Sequence, residues 1–242
     1  MKRKIGRVGL LAIFLLMIMT LMKVQATKYE PYQFEPGSWI KYKVSADSNA
    51  TETPPLVEET NKIEWIKFIL KNTAESSVTL LKVTKFKNKT QMEEYCKVDL
   101  FTGSGIEIPV IIASNLGTGD YIFNSSETSN PPQIKETIWG NILGVRREIN
   151  VAFHTEYFDP FGDNKADLQF FWDKETGILC LCEILNWELI KGGAKVFTLW
   201  RMELIDKSDN LWNEDETSKI TGIVVAAVIT IPIIIILAKK LK

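Results

Sequence analysis

Asp167-Leu-Gln-Phe-Phe-Trp-Asp-Lys-Glu-Thr-Gly-Ile-Leu-Cys-Leu-Cys-Glu-Ile-Leu-Asn-Trp-Glu-Leu-Ile190 is two strand-like runs joined by a five-residue turn. Asp167–Trp172 is rich in aromatic and apolar residues. Asp173-Lys174-Glu175-Thr176-Gly177 supplies turn chemistry, with glycine placed where the chain needs a left-handed residue. Ile178–Ile190 follows, then Lys191-Gly192-Gly193 and a further run, Ala194–Ile205. Side chains alternate across a strand, so Ile178, Cys180, Cys182 and Ile184 share one face. In the next strand Val196, Thr198, Trp200 and Met202 share another. This is an antiparallel hairpin ladder, and the fold is read outward from it.

The same pattern recurs upstream. Trp39–Val44 alternates, with Ile40, Tyr42 and Val44 on one side and Trp39, Lys41 and Lys43 on the other. Strand-like runs occupy Lys62–Leu70, Val78–Phe86 and Met92–Phe101, joined by short polar connectors typical of hairpins. Others cover Lys135–Trp139 and Arg146–His154. Ser45–Thr60, with Pro54-Pro55, reads as a long loop. Ile108–Leu116 is uniformly apolar and fits a short helix or a buried segment equally well. The expectation is a mainly β domain: a curved antiparallel sheet or half-barrel of about nine strands.

Both termini are apolar. Ile220–Ala238 carries no charge, and at about 1.5 Å per residue it makes a helix of roughly 28 Å, the thickness of a bilayer core. Lys239, Lys240 and Lys242 follow it and by the positive-inside rule stay cytoplasmic. At the other end Lys2, Arg3, Lys4 and Arg7 precede an apolar stretch, Val8–Met22, and an A-x-A-like site at Val24-Gln25-Ala26, the pattern of a signal peptide. The expected organisation is a signal peptide over 1–26, an extracytoplasmic β domain over 27–206 and an acidic stalk over 207–219. A transmembrane helix over 220–238 and a basic tail over 239–242 complete it. The domain would lie outside a cell membrane that the chain crosses once.

Charge sorts along the chain. Of 29 basic side chains, five lie in 1–26 and three in 220–242, leaving 21 against all 30 acids, a net −9 for the part between. An acidic domain without a basic patch excludes nucleic acid as a partner. The sequons at Asn49, Asn88 and Asn124 are candidate glycosylation sites. Cys180 and Cys182, two apart on one strand face, are poorly placed to pair with each other, so a disulfide would join Cys96 to Cys180 or to Cys182. Three buried thiols are the alternative.

The chemistry-bearing residues are sparse. His154 is the only histidine; it lacks a nucleophile motif and falls on the parity opposite Ile149, Val151 and Phe153, which predicts exposure. Asp159, Asp163 and Asp167, with Asn164, make an oxygen-rich loop that is a weak calcium candidate, and Lys165 inside it argues for a solvated turn. One histidine and three dispersed cysteines do not make a zinc site. Nothing requires a cofactor, and no catalytic residue is assigned.

Several stretches resemble uncharacterised archaeal cell-surface β-domain proteins with a signal peptide and a C-terminal anchor. They are Gly37-Ser38-Trp39-Ile40-Lys41-Tyr42-Lys43-Val44, Asn115-Leu116-Gly117-Thr118-Gly119-Asp120, Gly144-Val145-Arg146-Arg147-Glu148-Ile149-Asn150 and Phe171-Trp172-Asp173-Lys174-Glu175-Thr176-Gly177-Ile178-Leu179. The strand order and the aromatic-Asp-Lys-x-Thr-Gly hairpin more loosely resemble half-barrel lipoprotein carriers of the LolA type. That likeness implies a curved sheet whose concave side takes an acyl chain. Neither group supplies catalytic residues. The leading expectation is a non-enzymatic, membrane-anchored binding or envelope protein of unknown ligand, its domain presenting a surface or groove to a partner, either lipid or another surface protein. The alternatives are a half-barrel binding lipid or another hydrophobic ligand at the membrane, lined by some of the dispersed tryptophans, and an anchored hydrolase.

Overall fold

The computed structural model describes residues 29–105, 107–124, 131–158, 164–189 and 195–212. Nine strands form one open antiparallel sheet in the order β4-β3-β2-β1-β9-β8-β7-β6-β5. They are β1 Trp39–Ser48, β2 Ile63–Ala74, β3 Ser77–Phe86, β4 Gln91–Asp99, β5 Ile134–Ile142, β6 Val145–Tyr157, β7 Lys165–Asp173, β8 Leu179–Leu189 and β9 Lys195–Lys207. Each neighbouring pair but β1–β9 is a sequence-adjacent hairpin, so two meanders, β1–β4 and β5–β9, meet where β1 pairs with β9. The expected mainly β architecture and strand count agree with this sheet. The expected signal peptide, membrane helix and basic tail lie outside the described residues.

One face of the sheet carries the core. Along β1, Ile40, Tyr42, Val44 and Ala46 are buried while Lys43, Ser45 and Asp47 are exposed, as the alternation predicts. Across the sheet Val44 pairs with Met202, Met202 with Cys182, Cys182 with Phe170, and Phe170 with Ala152, giving one buried row. Phe170 and Trp172 stack two residues apart at 5.1 Å on this face.

The connection between β4 and β5 covers that face. Ile111, Ile112, Leu116 and Ile122 are fully buried in it. Ile108–Leu116 is neither helix nor named strand, and its backbone groups find partners in the sheet instead. The Trp172 indole donates to the Pro109 carbonyl at 2.8 Å, Leu179 N–H to Val110 at 3.0 Å, and Ile112 N–H to Gly177 at 3.0 Å. The Asn150 amide donates to the Leu116 carbonyl at 2.7 Å. Gly177 is required here twice over: its φ is +72°, and a Cβ would meet the Ile112 carbonyl oxygen.

One local expectation is corrected. The loop over Ser45–Thr60 is partly ordered: β1 runs to Ser48, and Pro55–Lys62 is a helix, α1. Pro55 at its first turn presets the backbone, and Lys62 pairs with Glu58 at 3.1 Å and Glu59 at 2.7 Å. Eight residues that begin with a proline and have few apolar positions carry too weak a period to be read. Before β1 the described residues from Tyr29 form no named element, yet Tyr29 and Phe34 join the core. The packed chain continues past the expected domain boundary at 206. After β9 a single 3-10 turn, Asp209–Leu211, places Leu211 and Trp212 in buried positions, so the domain extends to Trp212. Among the described residues, no helix is long and apolar enough to cross a membrane.

Candidate interaction surfaces

Antiparallel pairing gives the sheet two ends. At the exit end β9 finishes and β1 begins, tied by Ser208, whose N–H donates to the Trp39 carbonyl and whose hydroxyl accepts from the Trp39 N–H. The β5–β6 and β7–β8 turns lie at this end. The opposite end carries α1, the β3–β4 turn and the end of β1.

An ion-pair network holds the exit end. Asp173, fully buried, accepts two hydrogen bonds from Arg147, 2.7 Å to Nε and 3.0 Å to Nη2. It accepts two more from the Thr176 N–H at 2.8 Å and hydroxyl at 2.6 Å, which fold the Asp-Lys-Glu-Thr-Gly turn on itself. A bidentate arginine with two further donors on the carboxylate is the arrangement that makes a buried ion pair tolerable. Arg147 also meets Glu175 at 2.7 Å, and Lys174 meets Glu148 at 3.0 Å. The Arg147 guanidinium and the Lys207 ammonium each lie 5.2 Å from the Trp212 ring centroid. The turn motif noted in the sequence is therefore a structural clasp that links β6, β7 and the last described residues.

The outer face of β1 and β2 carries a lattice of lysine on tryptophan. Lys67 lies 3.8 Å over Trp39 and Lys41 lies 5.1 Å over Trp65. Burial, with Lys41 beside it, pulls the Lys67 ammonium below its ordinary pKa. Farther along this face Glu183 is buried opposite Arg201 at 3.7 Å, and its Oε2 has no hydrogen-bond partner among the described residues. Burial pushes its carboxyl upward. Sequence patterning overlooked Glu183 because a lone acid within an apolar run reads as the solvent side of a strand.

The residues singled out in the sequence do not converge. Cys96 lies on β4 and Cys180 and Cys182 on β8, with β3, β2, β1 and β9 between them in the sheet order. All three are free thiols, so the expected bridge from Cys96 to either of the pair is not formed. Burial pushes each thiol's pKa up. His154 is 16% exposed at its side chain while Phe153 is 44% exposed, the reverse of the expected parity. The core face of β6 is the one bearing Asn150, Ala152 and His154, because the β4–β5 connection needs the Asn150 amide there. The His154 imidazole stands 3.7 Å from Glu156.

Of the calcium candidates, Asp159 and Asp163 lie outside the described residues. Asp167 is committed elsewhere: it accepts from Lys165 at 2.7 Å, Thr155 at 2.9 Å and the Trp187 indole at 3.0 Å. Burial alone would raise its pKa, but these donors hold it below the ordinary carboxylate value.

Asn49 and Asn88 are exposed at the end opposite the exit. The Asn88 Oδ1 accepts from the Thr90 N–H and hydroxyl, and Asn88 lines a shallow depression of ≈ 580 Å³ with Asn61, Lys62, Phe86, Lys87 and Thr90. Asn124, by contrast, sits at the exit end with its N–H on the Phe101 carbonyl, and Ser125 and Ser126 lie outside the described residues.

No protein-family model matches this chain. No curated protein is significantly similar to it. The function is therefore argued from the surfaces just described.

Proposed function

We propose that this chain is a non-enzymatic binding protein of the cell envelope, held outside the membrane by 220–238 and acting through the surface of its β domain. The observation that carries the reading is the filled core face. Where a carrier would keep a lumen, Ile111, Ile112, Leu116 and Ile122 pack against Trp172, Tyr42 and Leu80. A sheet filled by its own chain meets a partner from outside, through exposed strands and turns. The edge strand β4 has Met92 and Tyr95 exposed among Glu93, Glu94 and Lys97, the mixed apolar and charged surface that suits a protein partner. The two exposed sequons lie away from the exit, where glycans would not obstruct the membrane.

A second reading rests on Leu168, Ile184 and Trp200, which form one half-buried cross-strand row on the core face toward the opposite end and are the side chains a hydrophobic ligand would meet there. Native mass spectrometry of the full chain, gently extracted from membranes, separates the two. A polypeptide mass with at most glycan added supports surface recognition. A stoichiometric mass that organic solvent strips away as lipid overturns it in favour of the hydrophobic ligand.

A further inference from the structure

The β5–β6 hairpin runs past the rest of the sheet. The last residue pair between β6 and β7 is Ile149 with Asp173, whereas β6 begins at Val145 and pairs there only with β5. The Lys174 N–H of the β7–β8 turn still donates to the Glu148 carbonyl, so three residues, Val145–Arg147, at about 3.3 Å each, carry the hairpin roughly 10 Å beyond its last backbone contact with that neighbour. Its tip has the wrong chemistry for water. Trp139 is 60% exposed and Leu143 is 41% exposed. The Arg146 guanidinium lies 4.9 Å over the Trp139 ring.

The tip also has the wrong chemistry for its own backbone. Leu143 and Gly144 both have positive φ, +52° and +86°, in a two-residue turn that favours asparagine followed by glycine. A leucine held there gains nothing from the turn and nothing from solvent. From Thr137 to Arg147 there are two arginines and no acid, within a domain that is acidic overall.

Position supplies the occupant. Arg147, in this hairpin, contacts Trp212, the last described residue. Seven residues, 213–219, then separate Trp212 from Ile220, a reach of at most about 28 Å even fully extended. Tryptophan, leucine and arginine together are the side chains that settle at a bilayer interface, ring and chain among the acyl carbons and guanidinium on the phosphates. We propose that the projecting part of the β5–β6 hairpin, from Trp139 opposite Glu148 at its base to Leu143 at its tip, with Arg146 over the indole, lies in the lipid interface and fixes the domain's orientation on the membrane. This rests on the reading of 220–238 as the anchor.

The test uses the full chain reconstituted in phosphatidylcholine–phosphatidylglycerol vesicles, with tryptophan emission read with and without brominated lipid. One indole of seven is on the projecting hairpin, so lipid bromine should remove on the order of one-seventh of the emission. Trp139→Phe should abolish that fraction, and Trp187→Phe, at the opposite end, should leave it. Leu143→Asn, which suits the turn, should fold and lower the quenching by lifting the indole. Quenching that is absent, or equal in Trp139→Phe and the parent, overturns the proposal. Burial of Trp139 that rises with protein density without bromine quenching also overturns it, assigning the tip to a second copy. An alkaline carbonate wash judges the anchor separately. If the chain is released, the anchor reading fails, and the hairpin proposal is then decided by whether quenching at neutral pH still depends on Trp139.

Discussion

Asp173 shows how far a single residue reaches in this fold. Its carboxylate joins β6 to the β7–β8 turn through Arg147 and closes the turn through Thr176. Asp173→Ala leaves a mostly buried guanidinium with only the exposed Glu175, and removing one partner of a buried pair costs about 3–5 kcal/mol. The expected outcome is a large drop in the midpoint of denaturant unfolding of the detergent-solubilised chain. Glu183 makes the opposite case. Its folded-state pKa lies above the unfolded value of about 4.3, so the native state holds the proton more tightly. Stability is then highest below about 4.3 and declines as pH rises through the folded-state pKa. Glu183→Gln removes that slope, and Arg201 keeps Glu203 at 3.2 Å. The variant should melt at or above the parent at pH 7, with the difference closing by pH 4; a variant less stable at pH 7 would show that the ionised pair with Arg201 is favourable. Asp173 was legible in the sequence as a turn residue but not as an ion-pair hub, because Arg147 is 26 residues away.

Among the elements, those with a strong two-residue period were legible: β1, β3 and the β7–β8–β9 ladder fall where alternation and turn residues place them. Alternation misled at β6, which buries both faces around Ile149–Ala152 and so has no polar side to count. Helix α1 is too short to show a period. The Ile108–Leu116 stretch stayed ambiguous because its partners, the Trp172 indole and the Asn150 amide, lie on distant strands. The β5–β6 turn yields a prediction of its own. Leu143 adopts a left-handed conformation that asparagine tolerates better, so Leu143→Asn should raise stability by about 0.5–1 kcal/mol. A thermal melt in detergent, where no bilayer interface competes, measures it. A loss of stability would mean that the leucine packs on the domain instead of facing outward.

At the scale of the whole molecule, the sheet order separates the cysteines that composition alone invited to pair. Alkylation of the native chain without reductant should modify Cys96 slowly and spare the buried Cys180 and Cys182. Denaturation without reductant should expose all three, and a pair that stays unmodified until reductant is added would establish a disulfide. By itself the sequence determined what depends on local spacing: antiparallel β structure from alternation, turns from glycine and aspartate, the acidic balance of the central region, and the apolar reading of both termini. Only the tertiary structure decided which face of each strand is the core, that the chain fills that face with its own β4–β5 connection, and that Arg147, Asp173 and Trp212 meet beside the projecting hairpin. Those outcomes depend on contacts between residues tens of positions apart. Alternation along the chain marks that a strand has a buried side, but neither the segment that covers that side nor the partner of a buried charge leaves a periodic trace.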